Sequence, residues 1–262
     1  MNMENKKPKV SVIVTTYNRE KYLKETIQSI LNQTFTDFEL IVVDNFSNYN
    51  FFEVIESFND SRIKPFQNQN NGIISVNRNF GLKQVLGEYV AFCDDDDLWL
   101  PDKLRLQITE AKKNTIVYTR RFIVNADSSI LREETLKPYK HQSHIYWKNN
   151  ITLSSVLLFM NDDVVFDENK SLIGVEDYAL WVKLINSGYS FSLVDKTLIK
   201  YRISSNNYSK KNRIRNPIQR IGILCSQYSL KEDIKDKHVF ILSIIKDMLL
   251  YIYYNLLTLL SR

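Results

Sequence analysis

The sequence has few of the residues that mark irregular or cross-linked proteins. Its 262 residues include only 6 glycines, 5 prolines and 2 cysteines. This scarcity excludes a collagen-like repeat, a loop-dominated fold and a disulfide framework. Hydrophobic residues make up 44% of the chain and charged residues 25%, so the composition is that of a globular protein with a sizeable core.

Zinc-binding and targeting motifs are also missing. Cys93 and Cys225 form no metal-binding motif, which fits a reducing compartment. His141 and His144 lack the third His or Cys that would complete a zinc site, so we interpret them as loop residues. The polar segment Met1–Lys9 predicts that the chain has no signal peptide.

Four consecutive aspartates, Asp94–Asp97, form the most informative stretch of the chain. They follow the apolar run Tyr89–Phe92, which predicts a buried strand. Open α/β sheets bind ligands at the carboxyl ends of their strands, and like charges placed there need a positive neighbour. Aspartate oxygens suit Mg²⁺ or Mn²⁺, which often share their coordination with substrate phosphates. The stretch therefore predicts a metal–diphosphate site rather than a solvated acidic turn.

The first part of the chain alternates between strand and helix patterns. Near-continuous apolar runs at Val10–Val14 and Phe38–Val43 are typical of parallel strands that are covered on both faces. The other predicted elements are helices over residues 22–31, 51–58 and 77–86 and a short strand over residues 62–66. Gly87 is placed as the C-cap of the third helix. This order predicts a doubly wound, mostly parallel α/β sheet.

The second part has a mixed pattern. Asp102 is placed as the cap of a helix, and Glu176 and Asp177 begin another that ends at Gly188. Four separate short strands are predicted over residues 116–118, 155–159, 191–194 and 198–202. The polar stretch between residues 125 and 150 has no interpretable motif. We divide the chain into a nucleotide-binding half (1–110), a smaller mixed acceptor half of the same domain (111–205) and a C-terminal helical extension (206–262).

The C-terminal extension is basic and then apolar. Between Lys200 and Gly222 the chain has seven basic residues and no acid, which favours contact with anionic lipid or with a diphosphate-bearing lipid acceptor. A solvated basic linker is the alternative. The apolar segment Val239–Leu260 is interrupted by Lys246–Asp247 and by Asn255, so it predicts an amphipathic helix rather than a membrane span. That helix packs on the domain, pairs with a second copy or lies in a membrane interface. No motif for nucleic acid accompanies the basic residues.

Six segments carry a resemblance to a known family when they are taken in order. They are Val10–Asn18, Phe38–Asp44, Asn77–Gly81, Asp94–Pro101, Gly174–Trp181 and Tyr201–Arg202. They resemble the family 2 glycosyltransferases of bacterial surface-polysaccharide synthesis. The resemblance implies a GT-A fold, a nucleotide-sugar donor, Mn²⁺ or Mg²⁺ as cofactor and inversion at the anomeric carbon. The resemblance also implies that the chain is an enzyme of the hexosyltransferase type.

The same resemblance assigns roles to the acidic residues. Asp96 aligns with the metal ligand, and Asp94 with a residue that lies near the metal, the ribose and the diphosphate. Asp95 falls at the family's variable position within the nucleotide-sugar site. Asp177 aligns with the catalytic base and Glu176 with its neighbour that contacts the acceptor, although the reverse assignment stays open. Asp97 is either a secondary candidate or a cap of the following helix.

The remaining donor-site residues follow the strands of the first half. They are Thr15, Thr16, Tyr17 and Asn18 after the first strand, Asp44 and Asn45 after the second, and Arg78, which pairs with phosphate or carboxylate. Two positions depart from the common family pattern. Asn45 replaces an acid that would accept a proton from uracil, and Ser204 replaces a metal-binding His. UDP is therefore the expected nucleotide, with dTDP as an alternative.

Taken with the resemblance, the residues predict a cytoplasmic enzyme at the inner face of the cell membrane. It moves one sugar from a nucleotide-diphosphate sugar to a saccharide, such as a polyprenyl-diphosphate-linked O-antigen or capsule intermediate. The alternatives are a dTDP-sugar (rhamnosyl-type) transferase, a non-catalytic nucleotide-sugar-binding partner of another transferase and a nucleotidyltransferase. The last is disfavoured because the loop after the first strand has no glycine. A homo-oligomer formed through the C-terminal helix is a further expectation.

Overall fold

A computed structural model of the chain describes residues 7–203, 215–230 and 237–260. Its strands are β1 (Val10–Thr16), β2 (Phe38–Asp44), β3 (Ile63–Gln67), β4 (Tyr89–Asp94), β5 (Leu98–Trp99), β6 (Thr115–Val124), β7 (Ile130–Glu134), β8 (Leu157–Phe159) and β9 (Ser190–Arg202). Its helices are α1 (Glu20–Leu31), α2 (Phe51–Glu56), α3 (Ile74–Leu82), α4 (Lys103–Glu110), α5 (His144–Trp147), α6 (Glu176–Asn186), α7 (Arg215–Leu230) and α8 (Lys237–Leu260).

All described strands belong to one sheet, in the order β3-β2-β1-β4-β8-β6-β9-β5, with β7 paired to β6. The four strands at the first edge, β3, β2, β1 and β4, are parallel. Alternate residues of β1 face two separate apolar cores, since Ile13 packs on one side and Val12 and Val14 on the other. This burial on both faces explains the continuous apolar runs and confirms the doubly wound, mostly parallel α/β prediction.

The second part of the sheet differs from the predicted short strands. β9 is one strand, where the sequence predicted two, and it pairs in parallel with β6. Its Asp195–Lys196 pair lies where the register between the two strands shifts, so the polar interruption is a bulge rather than a strand end. β7 and α5 lie within the stretch that had no interpretable motif, and His144 begins α5 instead of lying in a loop. The division at residues 110 and 205 stays a prediction.

Gly87 has a packing role and is not a helix cap. Helix α3 ends at Leu82, whereas Gly87 lies in the turn that enters β4. Its N–H donates to Ser11 Oγ over 2.9 Å, and a Cβ at this position would lie 2.6 Å from the backbone nitrogen of Ser11. The absence of a side chain therefore allows the turn to approach β1.

Helix α4 buries a polar pair that the sequence pattern did not predict. Leu104 lies on the buried face of this helix, and Lys103 and Gln107 lie there as well. Lys103 Nζ donates to Gln107 Oε1 over 2.7 Å and lies 3.7 Å from the centre of the Trp99 ring. Burial lowers the pKa of Lys103 to about 7. Asp102 precedes this helix without a side-chain bond to its backbone.

We expect Gly87→Ala to lower the free energy of unfolding by about 1–3 kcal/mol, because the added Cβ meets backbone rather than a movable side chain. Gly222 in α7 is the matched control, since an added Cβ there has no atom within 4 Å. Gly222→Ala should leave stability unchanged or raise it by up to ~1 kcal/mol. Urea denaturation followed by circular dichroism measures both variants. Equal stabilities would contradict the role given to Gly87.

Candidate active site

One cavity of about 840 Å³ lies between the carboxyl ends of β1 and β4, the N-terminus of α6 and the long strands β6 and β9. The predicted site residues along its wall are Thr15, Arg78, Asp94, Asp95, Asp96, Glu176 and Asp177. The wall on the other side includes Arg121, Glu134, Asn149, Tyr201, Asn216 and Arg220. The structure thus places the acidic cluster and the Glu176–Asp177 pair in the same cavity.

Asp96 lies in the cavity beside a cation that the sequence analysis missed. Arg19 Nη1 is 2.9 Å from Asp96 Oδ2 and 2.9 Å from Asp95 Oδ1. Burial, with the charges of Asp94 and Asp95, raises the pKa of Asp96 to about 7. Burial and the like charges therefore outweigh the effect of the Arg19 charge, which lowers the pKa of Asp96. The sequence feature that could have identified Arg19 as a site residue is its position directly after the polar residues that follow β1.

Asp95 connects the acidic cluster to the loop that follows β1. Its Oδ2 accepts a hydrogen bond of 2.8 Å from Thr16 Oγ1, and its Oδ1 accepts one from Arg19. The residue is only 5% exposed, and burial raises the pKa of its carboxyl. Both oxygens therefore have protein partners, so the geometry holds the loop in place.

Asp97 is buried below the cavity and does not cap the following helix. Its Oδ2 accepts from Ser154 Oγ over 2.6 Å, and its Oδ1 accepts from the N–H of Arg202 over 3.0 Å. Ser154 Oγ also accepts from the N–H of Asp94, and Arg202 Nε donates to the carbonyl oxygen of Asp96. Burial raises the pKa of Asp97 well above its usual range. The acidic loop is thus clamped from the second half of the chain.

Arg78 joins the acidic cluster to the N-terminus of α6. Its Nη1 lies 2.7 Å from Glu176 Oε1, and its Nη2 lies 2.9 Å from Asp94 Oδ1. The side chain is almost completely buried, so these two carboxylates replace its water contacts. Arg78 is therefore a buried bridge between two parts of the cavity and not a surface helix residue.

The two acids at the start of α6 differ in their surroundings. Both oxygens of Glu176 are engaged, because Oε1 accepts from Arg78 and Oε2 accepts from the N–H of Gly174 over 2.6 Å. Asp177 Oδ1 accepts from the N–H of Tyr178, and no described protein group donates to its Oδ2. Burial, followed by the charge of Glu176, raises the pKa of Asp177 to about 7. A carboxylate with one free oxygen and this pKa is suited to accept a proton near neutral pH.

Asp44 and Asn45 organise the loop after β2. The buried Asp44 carboxylate accepts from the N–H of Ser47 and from Gln67 Nε2, each over 3.0 Å. Asn45 Oδ1 accepts from the N–H of Asn70 over 2.9 Å. That bond occupies the amide oxygen of Asn45 and leaves its NH₂ group to donate to a ligand.

The loop after β1 lies against the loop after β2. Asn18 has a positive φ of 54°, and its Oδ1 accepts from the N–H of Asn48 over 2.7 Å. Thr15 and Thr16 are buried at the end of β1, whereas Tyr17 is 55% exposed. The Tyr17 ring is thus the accessible group of this loop on which a flat base could stack.

The donor chemistry of the acidic cluster fits a divalent cation. Within residues 7–203, 215–230 and 237–260, no group of three or more His, Cys, Asp or Glu side chains has the arrangement of a metal site. Mg²⁺ and Mn²⁺ sites often use one or two carboxylates and complete their coordination with substrate phosphates and water. Asp94 and Asp96 line the cavity, and each meets one arginine through one carboxylate oxygen, so they are the residues that could hold such a cation. Ser204, the position of the absent His, lies outside the described residues.

Comparison with known proteins identifies the family. Residues 11–156, more than half of the chain, match the sequence model described as Glycosyl transferase family 2. The chain belongs to this family. An uncharacterised glycosyltransferase of Methanocaldococcus jannaschii is 32% identical over 250 residues, which cover 90% of this chain and 83% of that protein. The family assignment makes this chain a glycosyltransferase, as the six segments predicted.

Two further proteins resemble this chain, one in sequence and one in three-dimensional structure. The Escherichia coli protein named UDP-Glc:alpha-D-GlcNAc-diphosphoundecaprenol beta-1,3-glucosyltransferase WfgD is 31% identical over 233 residues, covering 82% of this chain and 90% of that protein. The crystal structure of S. aureus TarS 1-349 in complex with UDP-GlcNAc superposes with a TM-score of 0.70 at 22% identity, covering 91% and 72% of the two chains. This family 2 glycosyltransferase therefore has the predicted GT-A fold.

We expect Asp97→Ala to lower the free energy of unfolding by about 1–3 kcal/mol, because it leaves buried donors on Ser154 and Arg202 without acceptors. Asp96→Ala is the matched control, since it removes a carboxylate that is crowded by like charges. Its stability without metal should stay within about 0.5 kcal/mol of the wild type or exceed it. Urea denaturation in the presence of a chelator measures both. A destabilisation by Asp96→Ala equal to that by Asp97→Ala would contradict this distinction.

Proposed function

We propose that this enzyme transfers one sugar, with inversion, from a UDP-sugar to a polyprenyl-diphosphate-linked saccharide of surface-polysaccharide synthesis. One observation carries the proposal: the Arg78 guanidinium is bonded to both Asp94 and Glu176. Arg78 thus connects the acidic cluster, which is expected to lie at the donor diphosphate, with the Glu176–Asp177 pair, which is expected to lie at the acceptor. The printed name of the Escherichia coli relative, which includes UDP-Glc and a diphosphoundecaprenol-linked sugar, supports the substrate classes.

Asp177 is the proposed base. Its unbonded Oδ2 takes the proton of the acceptor hydroxyl while that oxygen forms a bond to the anomeric carbon. The bond from the same carbon to the diphosphate breaks, and a single displacement of this kind inverts the configuration. Glu176, whose oxygens are held by Arg78 and Gly174, is a positioning residue in this proposal.

Asp96 and Asp94 are the proposed ligands of Mn²⁺ or Mg²⁺. When bound, the cation offsets the negative charge that develops on the departing diphosphate. Arg19 stays beside Asp95 and Asp96 and offsets part of their charge. The side chain of Asp95, which is bonded to Thr16 and Arg19, keeps the donor-site loop in position.

The nucleoside is proposed to bind between the loops after β1 and β2. Tyr17 supplies an exposed ring for the base, and Thr15, Thr16, Asn18 and Asp44 shape the two loops. Asn45 offers an N–H donor, which suits a carbonyl oxygen of uracil or thymine. UDP is thus the first nucleotide to test and dTDP the second. A cytoplasmic location follows from the same choice of donor and from the lipid-linked substrate of the relative.

We expect Asp177→Asn to lower kcat by about 10²–10⁴-fold, since an amide cannot accept the proton. Glu176→Gln keeps the shape of the neighbouring side chain and should cost less, because Arg78 retains Asp94. Release of UDP from UDP-sugars, with undecaprenyl-diphosphate-linked saccharides as acceptors, measures turnover. Calorimetry with UDP and Mn²⁺ should give wild-type binding for Asp177→Asn. An inactive Glu176→Gln beside an active Asp177→Asn would reverse the assignment of the base.

The pH dependence of kcat/KM should report the ionisation of Asp177. The base acts only when it is deprotonated, so the rate should rise with pH and level off above its pKa of about 7. Glu176 contributes to raising that pKa, so Glu176→Gln should shift the midpoint to lower pH. A pH–rate profile over pH 5–9 tests both, with about a tenfold fall per pH unit below the midpoint. A flat profile would contradict the proposed base.

A further inference from the structure

Helix α8 buries Phe240 and two polar side chains against the protein and leaves most of its other apolar side chains exposed. Ser243 and Asp247 are buried, and Asp247 Oδ2 accepts from Arg220 Nε of α7 over 2.9 Å. Lys246 bonds to the carbonyl oxygen of Trp147 in α5. The side chains that are 46–61% exposed include Leu242, Ile245, Met248, Leu249, Ile252 and Leu256. Exposed apolar side chains thus outnumber the buried ones on this helix, unlike the distribution on a helix that faces water.

The end of α8 extends away from the rest of the protein. Every residue from Met248 to Tyr253 is exposed, and six consecutive residues cover the whole circumference of a helix. The helix is long and apolar enough to cross a membrane, yet only 17% of its most apolar 18-residue window is buried. A core helix would be mostly buried, and a second copy of the chain would cover only one face. An apolar helix that is exposed on all sides needs apolar surroundings on all sides.

We propose that the projecting end of α8 inserts into a lipid bilayer. Residues 248–260 form about 20 Å of helix, and one leaflet of a bilayer has roughly 15 Å of hydrocarbon. Asn255 is the polar side chain of this part whose bonding is described, and its Nδ2 donates to the carbonyl oxygen of Tyr251 over 2.8 Å. That bond stays within the helix, as hydrocarbon surroundings require.

The charges near the base of this helix favour an anionic membrane. Arg220 and Lys246 share the single carboxylate of Asp247, which leaves one positive charge in excess. The sequence from Lys200 to Gly222, partly outside the described residues, carries no acid. Basic groups at the depth of the headgroups add attraction to anionic lipids.

The same contact connects the anchor to the cavity. Arg220 lies in the wall of the cavity and is bonded to Asp247 of α8. Insertion of α8 therefore places the acceptor side of the cavity close to the headgroups, where the diphosphate of a lipid-linked saccharide lies. This consequence for catalysis rests on the proposed function, whereas the membrane contact itself does not.

Vesicle sedimentation tests the proposal with the whole chain and no substrate. The wild type should sediment with vesicles of phosphatidylglycerol and phosphatidylcholine in equal parts, and less with phosphatidylcholine alone. Leu249→Glu should lower the partition coefficient by about tenfold or more. Leu86→Glu is the matched control, because Leu86 is 55% exposed and Leu249 61%, and it should bind as the wild type does. Circular dichroism and urea denaturation confirm that both variants fold.

Two results would overturn the proposal. One is a folded Leu249→Glu variant that binds vesicles as well as the wild type does. The other is a wild type that binds neither kind of vesicle. If that wild type is also a dimer and Leu249→Glu converts it to a monomer, the apolar face of α8 contacts a second copy of the chain instead of lipid. Neither result depends on sugar transfer, so a failure here leaves the proposed function to its own test.

Discussion

Four adjacent carboxylates at the end of a buried strand repel one another, and the structure handles each of them differently. Asp97 turns inward to a hydroxyl and a backbone N–H, whereas Asp95 supports the loop after β1. Asp94 meets Arg78, and Asp96 meets Arg19 beside the cavity. The separation leaves the side chains of Asp94 and Asp96 partly exposed to the cavity, whereas Asp95 and Asp97 are bonded to the surrounding segments.

The buried guanidinium of Arg78 extends this charge pattern to α6. By engaging Glu176, it gives two adjacent acids unequal surroundings, although both begin the same helix. One carboxylate is fixed by two bonds, and Asp177 keeps an oxygen free and a raised pKa. Arg78 fixes Glu176, whose negative charge raises the pKa of Asp177, whereas the positive charge of Arg78 itself acts on that pKa in the opposite direction.

The sequence predicts those elements whose residue pattern follows from the burial of the element itself. Parallel strands buried on both faces must be continuously apolar, so β1, β2 and β4 were predictable. The exposed strand β7 has no buried face to detect, and the Asp195–Lys196 bulge divided β9 into two apparent strands. The acidic cluster and the Glu176–Asp177 pair are recognisable as motifs. The contributions of Arg19 and Ser154 depend on which strands are neighbours, and spacing along the chain does not contain that information.

The clamp on the acidic loop also has a consequence for biosynthesis. The residues that hold Asp97 come from far along the chain, since Arg202 follows it by 105 positions. Arg202 also pairs with Glu25, which precedes it by 177 positions. A ribosome that has released β1 to β5 has therefore delivered every acid of the cluster, together with Thr16, Arg19 and Arg78, but not the Ser154 and Arg202 groups that hold Asp97. The nascent chain must complete β9 before Asp97 reaches its final position, so a premature stop before β9 would leave that carboxylate without the N–H of Arg202.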